Sequence, residues 1–299
     1  MDLNENTSDI FGSESWYQVI KDTYNLNNPC IKENLKGLLT PISHIYSFLP
    51  FSDWYYEVEE QDGIQSCRNQ LNTILNCKFQ ARILLKREMN SEVSTYRIES
   101  SSPDDRLRMM SNTTRRYTRR SLENSLHYMV GGLELLDIFY RLHSKTRKRQ
   151  GLPVQPIAFF RNLLSQVRGS SIVVCHSKDG KEAASFIIIK SEDIIYYKYG
   201  ASSSELLHLR PNHFLFFHLH DIALQDRILT IDLGRTDERG LHRFKKSLGA
   251  RSYPIVRVDN NGIIAQEENK KIQSLRGVLK HMPVQVHIIL GKLFYRFFA

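Results

Sequence analysis

With 41% hydrophobic, 24% charged and 10% aromatic residues over 299 positions, the chain has the composition of a folded protein and not of a disordered one, and it is long enough for one large domain or two ordinary ones. Lysine and arginine number 41 against 32 acidic residues, a net charge of +9, and this balance favours an anionic partner: a phosphate-bearing ligand, RNA, a nucleotide-linked sugar or a membrane surface. Cys30, Cys67, Cys77 and Cys175 show no C-x-x-C spacing and read as reduced thiols of a cytoplasmic protein. Residues 1–13 (MDLNENTSDIFGS) lack a basic n-region and an apolar h-region, so they read as a disordered amino terminus and not as a signal peptide. No stretch reaches the ~18 apolar residues that span a bilayer.

Along 14–104 the signals are weak. Ser15 is placed to cap a short helix carrying Trp16, Val19 and Ile20, interrupted at Asn28-Pro29. The runs WYYEVEE and KFQARILLKRE contain strand-like alternation, and Ser-Ser-Ser-Pro-Asp-Asp at 100–105 reads as a boundary. Residues 106–150 read as helical. Arg115, Arg116, Arg119 and Arg120 share one face, and Leu122, Leu126, Met129, Leu133, Leu136 and Phe139 approximate an apolar stripe. Pro156 is expected to open a further helix through Phe159, Phe160, Leu163 and Leu164.

From residue 170 the pattern sharpens. Three apolar runs, 171–176, 183–190 and 194–199, are separated by Asp179-Gly180 and Ser191-Glu192-Asp193, which predicts an antiparallel meander. Pro211-Asn212 introduces the helix HFLFFHLHDIALQ, apolar on nearly every face and so buried. A strand ILTIDL, a helix ending at Gly249 and a strand SYPIVRV follow. Strand, helix, strand within one sheet requires a parallel crossover. The expected fold is therefore α/β, a mixed and mostly antiparallel sheet flanked by helices. A ligand crevice is expected at the carboxyl ends of 194–199 and 228–233, where the pairing changes.

The runs YYKYGASS, PNHFLFFHLHDIA, TIDLGRT and RGLHRFKKSLGA, in that order, resemble the GNAT acyltransferase superfamily and its FemAB-like and CelD-related acetyltransferase branch. The upstream FYRLHSKTRKRQGLPVQPIAFFRNL and the final LKHMPVQVHIILGKLFYRFF resemble the same family's lead-in and ending. The resemblance covers about 105–299. It implies a GNAT-like acyltransferase domain over 105–280, an amphipathic helix over 281–299 that could equally pack or lie on a membrane surface, and a degenerate GNAT-like half over 14–104. The activity it implies is transfer of an acyl group, acetyl from acetyl-CoA first of all, to the amine of a small molecule, sugar or peptide. Aminoacyl-tRNA is the alternative donor, because the usual Q/R-x-x-G-x-G/A signature is absent. A catalytically silent GNAT-fold module that binds RNA or another polyanion is a third reading.

Acylation of an amine needs a neutral nucleophile, a stabilised oxyanion and a protonated leaving group. Backbone around Tyr199, Gly200 and Ala201 is suited to polarise the carbonyl, unless Gly200 merely ends a strand. In GNAT proteins the following loop and helix start bind the donor's pyrophosphate, which assigns Ser202, Ser203, Arg210 and Asn212 to the donor. Asp232 is suited to orient the amine or act as base, or is a buried carboxylate satisfied by its surroundings. Lys245, in the family-like Phe244-Lys245 pair, meets donor phosphate or the oxyanion, or is a solvated lysine. Tyr199 and Tyr253 are proton-donor candidates. Arg116, Arg119, Arg120 and Arg235 are assigned to substrate. The spacing of His213, His218 and His220 does not make a helical metal pair, and no metal is expected.

Overall fold

The computed structural model describes residues 10–11, 13–24, 29–32, 35–39, 46–47, 53, 56–75, 77–89, 91–264 and 276–298. Most of the 1–13 segment and Asn28 therefore lie outside the described residues, but Ile10 and Phe11 are buried. Helix α1 (Glu14–Tyr24) buries Trp16, Val19, Ile20 and Tyr24, an amphipathic stripe at helical spacing, and packs on a later helix, α6 (Ile157–Gln166). Strands β1 (Pro29–Lys32), β2 (Leu35–Leu39), β3 (Tyr46–Ser47) and β4 (Tyr56–Val58) follow. Next come α2 (Gln61–Leu75), whose Ile64, Cys67, Leu71 and Leu75 face the core, then β5 (Phe79–Leu85) and β6 (Ser94–Glu99).

The long helix expected over 106–150 is instead three elements and part of a fourth. Ser102 caps α3 (Pro103–Met109), with Pro103 in the first turn, so the Ser-Pro-Asp-Asp run starts a helix and ends no domain sheet. Ser111 caps α4 (Asn112–Glu123). Ser125, at φ 49°, turns the chain into β7 (His127–Gly131), and α5 (Leu136–Gln150) begins only after a short 3-10 turn. Met129 and Leu133 of the supposed apolar stripe are about half exposed, at 47% and 48%. The stripe combined a strand's residues with two helices' residues and so never lay on one surface.

The meander is β8 (Ser170–His176), β9 (Glu182–Lys190) and β10 (Ile194–Ser202), all antiparallel. After it come α7 (Pro211–Gln225), β11 (Thr230–Asp232), α8 (Arg239–Ser247), β12 (Arg251–Asp259) and α9 (Val284–Phe298). The described residues form one 12-stranded, mostly antiparallel sheet in the order β1-β2-β3-β5-β12-β6-β11-β10-β9-β8-β7, with β4 on β5. The expected parallel crossover is present: β10 and β11 pair in parallel. A strand from the first hundred residues, β6, sits between β11 and β12 and bonds to both.

Alternate residues of the meander feed two cores, one on each face. Ile187 and Ile189 join Tyr196, Phe159 and Phe160 beneath α1, α5 and α6, while Phe186 and Ile188 join Phe214, Phe216 and Phe217 beneath α7. Cys67 and Cys175 lie in these cores, where burial pushes both thiols up to about 12. No helix among the described residues is long and apolar enough to cross a membrane.

Arg106 locks α3 to α7. It is fully buried, donates to Phe217 O (2.7 Å), Ser101 O (2.8 Å) and Asp221 Oδ1 (2.8 Å), and lies on the Phe217 ring. Arg106→Met leaves two carbonyls and a carboxylate without their donor. We expect a loss of about 3–5 kcal/mol of unfolding free energy in urea titration, with an unchanged m-value.

Candidate active site

The parallel pairing of β10 and β11 is short: Ile194, Ile195 and Tyr196 face Thr230, Ile231 and Asp232. Beyond that point the strands part, and β10 runs on to Ser202 with β9 as its partner. At the parting point β10 carries a bulge, with Tyr197 opposite Ile188 and Tyr199 opposite Ile187, so that Lys198 is the extra residue. The bulge reverses which side chains face which core: Tyr197 joins the α7 side, while Tyr199 and Lys198 turn to the α1 side. The change of β10's pairing falls where the strand order predicts a ligand crevice.

Two glycines fit this gap. A Cβ on Gly200 would stand 1.8 Å from the Tyr197 hydroxyl, and one on Gly234, whose φ is +78°, would stand 2.7 Å from Tyr197 O. Both positions let the chain close on Tyr197.

Asp232 is fully buried at the last paired position. Its Oδ1 accepts from Thr95 Oγ1 (2.5 Å) and Gly234 N (2.8 Å), and its Oδ2 from Arg97 Nε (3.0 Å). Its charge partner is thus Arg97 of β6, not Arg235. Lys245 is buried on α8 and donates to Gly234 O (2.7 Å) and Arg235 O (3.4 Å), so it is no solvated lysine. Burial pulls its ammonium down to about 8, against the opposing effects of Asp232 and Asp53.

Lys198 and Asp53, missed in the sequence, form the other half of the site. The Lys198 ammonium lies 2.9 Å from Asp53 Oδ1 and within 6 Å of the Phe11, Trp16 and Tyr199 rings. Burial lowers the lysine's pKa, and Asp53 opposes that shift. A lysine inside the apolar run IIYYKYG was the available signal, but its partner stands 145 positions away in a segment without a clear pattern. Tyr199 packs edge-on against Phe159, Phe160 and His143, and burial together with the Asp53 charge keeps its phenol protonated. Tyr253 lies beneath the Arg97 guanidinium.

Several donor candidates occupy regular structure. Gly200, Ala201 and Ser202 belong to β10 and pair with β9, Ser202 N donates to Thr146 Oγ1 (3.1 Å), and Ser203 N donates to Ala183 O (2.9 Å). The helix start is different. Arg210 occupies the N-cap of α7 in a left-handed conformation (φ 60°), with no side-chain cap, and Pro211 and Asn212 follow. Its guanidinium lies 4.1 Å from the Tyr117 ring centre, and that of Arg116 lies 5.5 Å from the same ring. His213 meets Tyr117 edge-on, and burial with the Arg210 charge pulls its pKa down to about 4. Arg116, assigned to substrate, and Arg210, assigned to the donor, thus converge on one aromatic ring beside an uncapped helix end. Arg119 and Arg120 are exposed on α4, whereas Arg115 caps α3 through Leu107 O and Met110 O.

His218 bonds Asp221 (2.7 Å) and His220 faces Ser101. Among the described residues no three such side chains are grouped to hold a metal.

Asp232→Asn turns an acceptor of three bonds into a group that presents N–H to either Arg97 or Thr95. We expect a loss of about 3 kcal/mol in unfolding free energy, read by urea titration; a change within 0.5 kcal/mol, roughly the scatter of surface substitutions, contradicts the role given to this carboxylate.

Residues 106–246 match the family model described as an acetyltransferase (GNAT) domain. Among solved structures the chain is similar to FemX, at 16% identity and a TM-score of 0.50 over 66% of each chain. It is similar also to L-PGS from Bacillus licheniformis, at 9% identity and a TM-score of 0.52 over 91% of this chain and 98% of that one. At these identities the likeness concerns the fold. No curated protein matches the sequence. The antiparallel meander and the β10–β11 pair lie within the segment matched by the acetyltransferase (GNAT) domain model, in a fold similar to those of FemX and L-PGS.

Proposed function

We propose that the protein is an N-acyltransferase that moves an acyl group, acetyl from acetyl-CoA first of all, from a phosphate-bearing carrier to an amine. The observation that carries this reading is the uncapped α7 start, with Arg210 and Arg116 over Tyr117, in the connection that follows the strand parting from β11. Helix N–H groups and two guanidiniums suit the carrier's phosphates. The parted edge of β10 gives the acyl arm an extended backbone to lie along.

In the reaction, the amine nitrogen attacks the thioester carbonyl, and the oxyanion collapses as the C–S bond breaks. The thiolate leaves and the nitrogen loses a proton. Asp53 and Asp232 are both committed to cations, so a positioning role for Asp232 is favoured over that of base: it holds the Gly234 turn. Lys245, fixed by Gly234 O and Arg235 O, has one further N–H to offer the oxyanion. Tyr199 supports the bulge, and its phenol, held protonated, can donate a hydrogen bond but does not serve as base.

A second donor, aminoacyl-tRNA, is favoured by the exposed Arg119 and Arg120, which extend the Arg116 face along α4 as a track for a polyanion. The silent binding module shares that track but gives no role to Lys245.

Saturating desulfo-CoA is expected to raise the Tm of the wild-type protein, and the rise is expected to shrink in Arg210→Gln and Arg116→Gln. No rise at millimolar ligand moves the reading to aminoacyl-tRNA. For turnover, Lys245 must be protonated, so kcat/KM should fall as pH rises through about 8. Lys245→Met should lose about 10²–10³-fold in kcat and flatten that alkaline limb. A limb unchanged in this variant removes Lys245 from the oxyanion.

A further inference from the structure

The net charge of the chain is carried by one layer. Residues 138–156, which are α5 after its first two positions and the loop beyond it, hold five Lys and Arg, and residues 276–298 hold four; neither stretch contains Asp or Glu. Without these nine, 32 basic residues stand against 32 acidic ones, so the rest of the chain is neutral. The two stretches pack together. Gly291 lets α9 close on the loop, since a Cβ there would overlap Val154 O. The buried His287 ring has its nitrogens 2.8 Å from Leu152 O and 2.9 Å from Leu279 O, and Tyr295 Oη accepts from Arg147 Nη2 (2.7 Å).

With that face of α9 anchored, the opposite one is fixed outward: Gln285, Ile289, Lys292 and Leu293, spaced as one helical row, are all exposed. Ile289 and Leu293 are more than half exposed, as is Val278 in the segment leading into the helix, and Met282 is exposed beside it. Of the cations, Arg141 pairs with Glu182 (2.7 Å), Arg147 donates to Pro153 O and Arg149 to Ser202 O. Among the described residues Lys145, Lys148, Lys280 and Lys292 have no acidic partner. The one acid of α5, Asp137, stands in its first turn, at the other end of the helix from Lys148.

We propose that this layer docks the protein on an anionic membrane surface, with Ile289 and Leu293 entering the boundary of the acyl region and the lysines meeting lipid headgroups. An exposed apolar row bordered by lysines without acidic partners matches both components of such a surface. Nucleic acid would reward the lysines and leave the aliphatic side chains in water. No described helix is long and apolar enough to cross a membrane, so α9 lies along the interface. The proposal is independent of the acyl-transfer reading, but the layer is bonded to the strand on which that reading rests. Ser202 N, at the end of β10, donates to Thr146 Oγ1 of α5 (3.1 Å), so docking fixes how β10 is presented to the bilayer.

The test is cosedimentation of the full chain with vesicles of phosphatidylcholine alone and of phosphatidylcholine with about one third phosphatidylglycerol. Binding is expected with the anionic vesicles only, and it should weaken as salt is raised. The double variant Ile289→Ser, Leu293→Ser and, separately, Lys280→Gln, Lys292→Gln should each lower the partition coefficient about tenfold or more. All four side chains are exposed, so the Tm of either variant should stay within the scatter of surface substitutions. Equal binding to both kinds of vesicle, or to neither, overturns the proposal. If the lysine pair weakens binding and the serine pair leaves it unchanged, the layer is a site for polyanions at large and the membrane assignment fails. Vesicle binding that persists where desulfo-CoA gives no Tm shift removes the donor reading and leaves the docking surface standing.

Discussion

Both oxygens of one carboxylate, Asp232, hold the centre of this molecule. Through Thr95 and Arg97 it ties β11 to β6, and through the Gly234 amide it shapes the turn where β10 and β11 separate. Lys245 grips the carbonyl side of the same turn from α8. A buried ionised group survives only when its hydrogen-bonding capacity is met, and here two of the three donors come from β6, a distant part of the chain, and the third from the adjoining turn. The gap therefore has a rigid wall, fixed by charge-assisted bonds, facing a β10 wall whose bulge sets the side chains.

The sequence made the carboxyl-terminal two thirds legible because its elements announce themselves locally. Alternating apolar runs with Asp-Gly between them can hardly be other than a hairpin, and α7 is apolar on too many faces to be exposed. The crossover followed from order alone. What escaped were elements whose signals are weak or imitate others. In β7, HYMVG is a half-exposed edge strand without alternation, and its Met129 completed an accidental helical stripe with Leu126 and Leu133. In β6, STYRIE carries Arg97, which reads as a break in an apolar pattern, although that arginine is there to satisfy Asp232.

The candidate site was half legible for the same reason. Residues within one motif, such as Arg210 and Asn212 or Asp232 and Arg235, could be placed near the gap from local order. Their partners could not. Nothing in the sequence pairs Lys198 with Asp53, or brings Arg116 and Arg210 to the same tyrosine ring, because such encounters depend on sheet order and helix docking. The individual roles written for Asp232 and Lys245 likewise turned on burial, which spacing did not reveal.

The place of β6 has a consequence for how the chain folds. A strand from residues 94–99 lies between two strands that arrive more than 130 and 150 positions later. Contacts of such wide sequence separation put loop-closure entropy before reward, which slows folding. Until that strand is in place, β11 presents an open hydrogen-bonding edge and a carboxylate stripped of its donors. The matched acetyltransferase segment lacks the strand that pairs with β11: cut out alone, it would carry an open, aggregation-prone edge there.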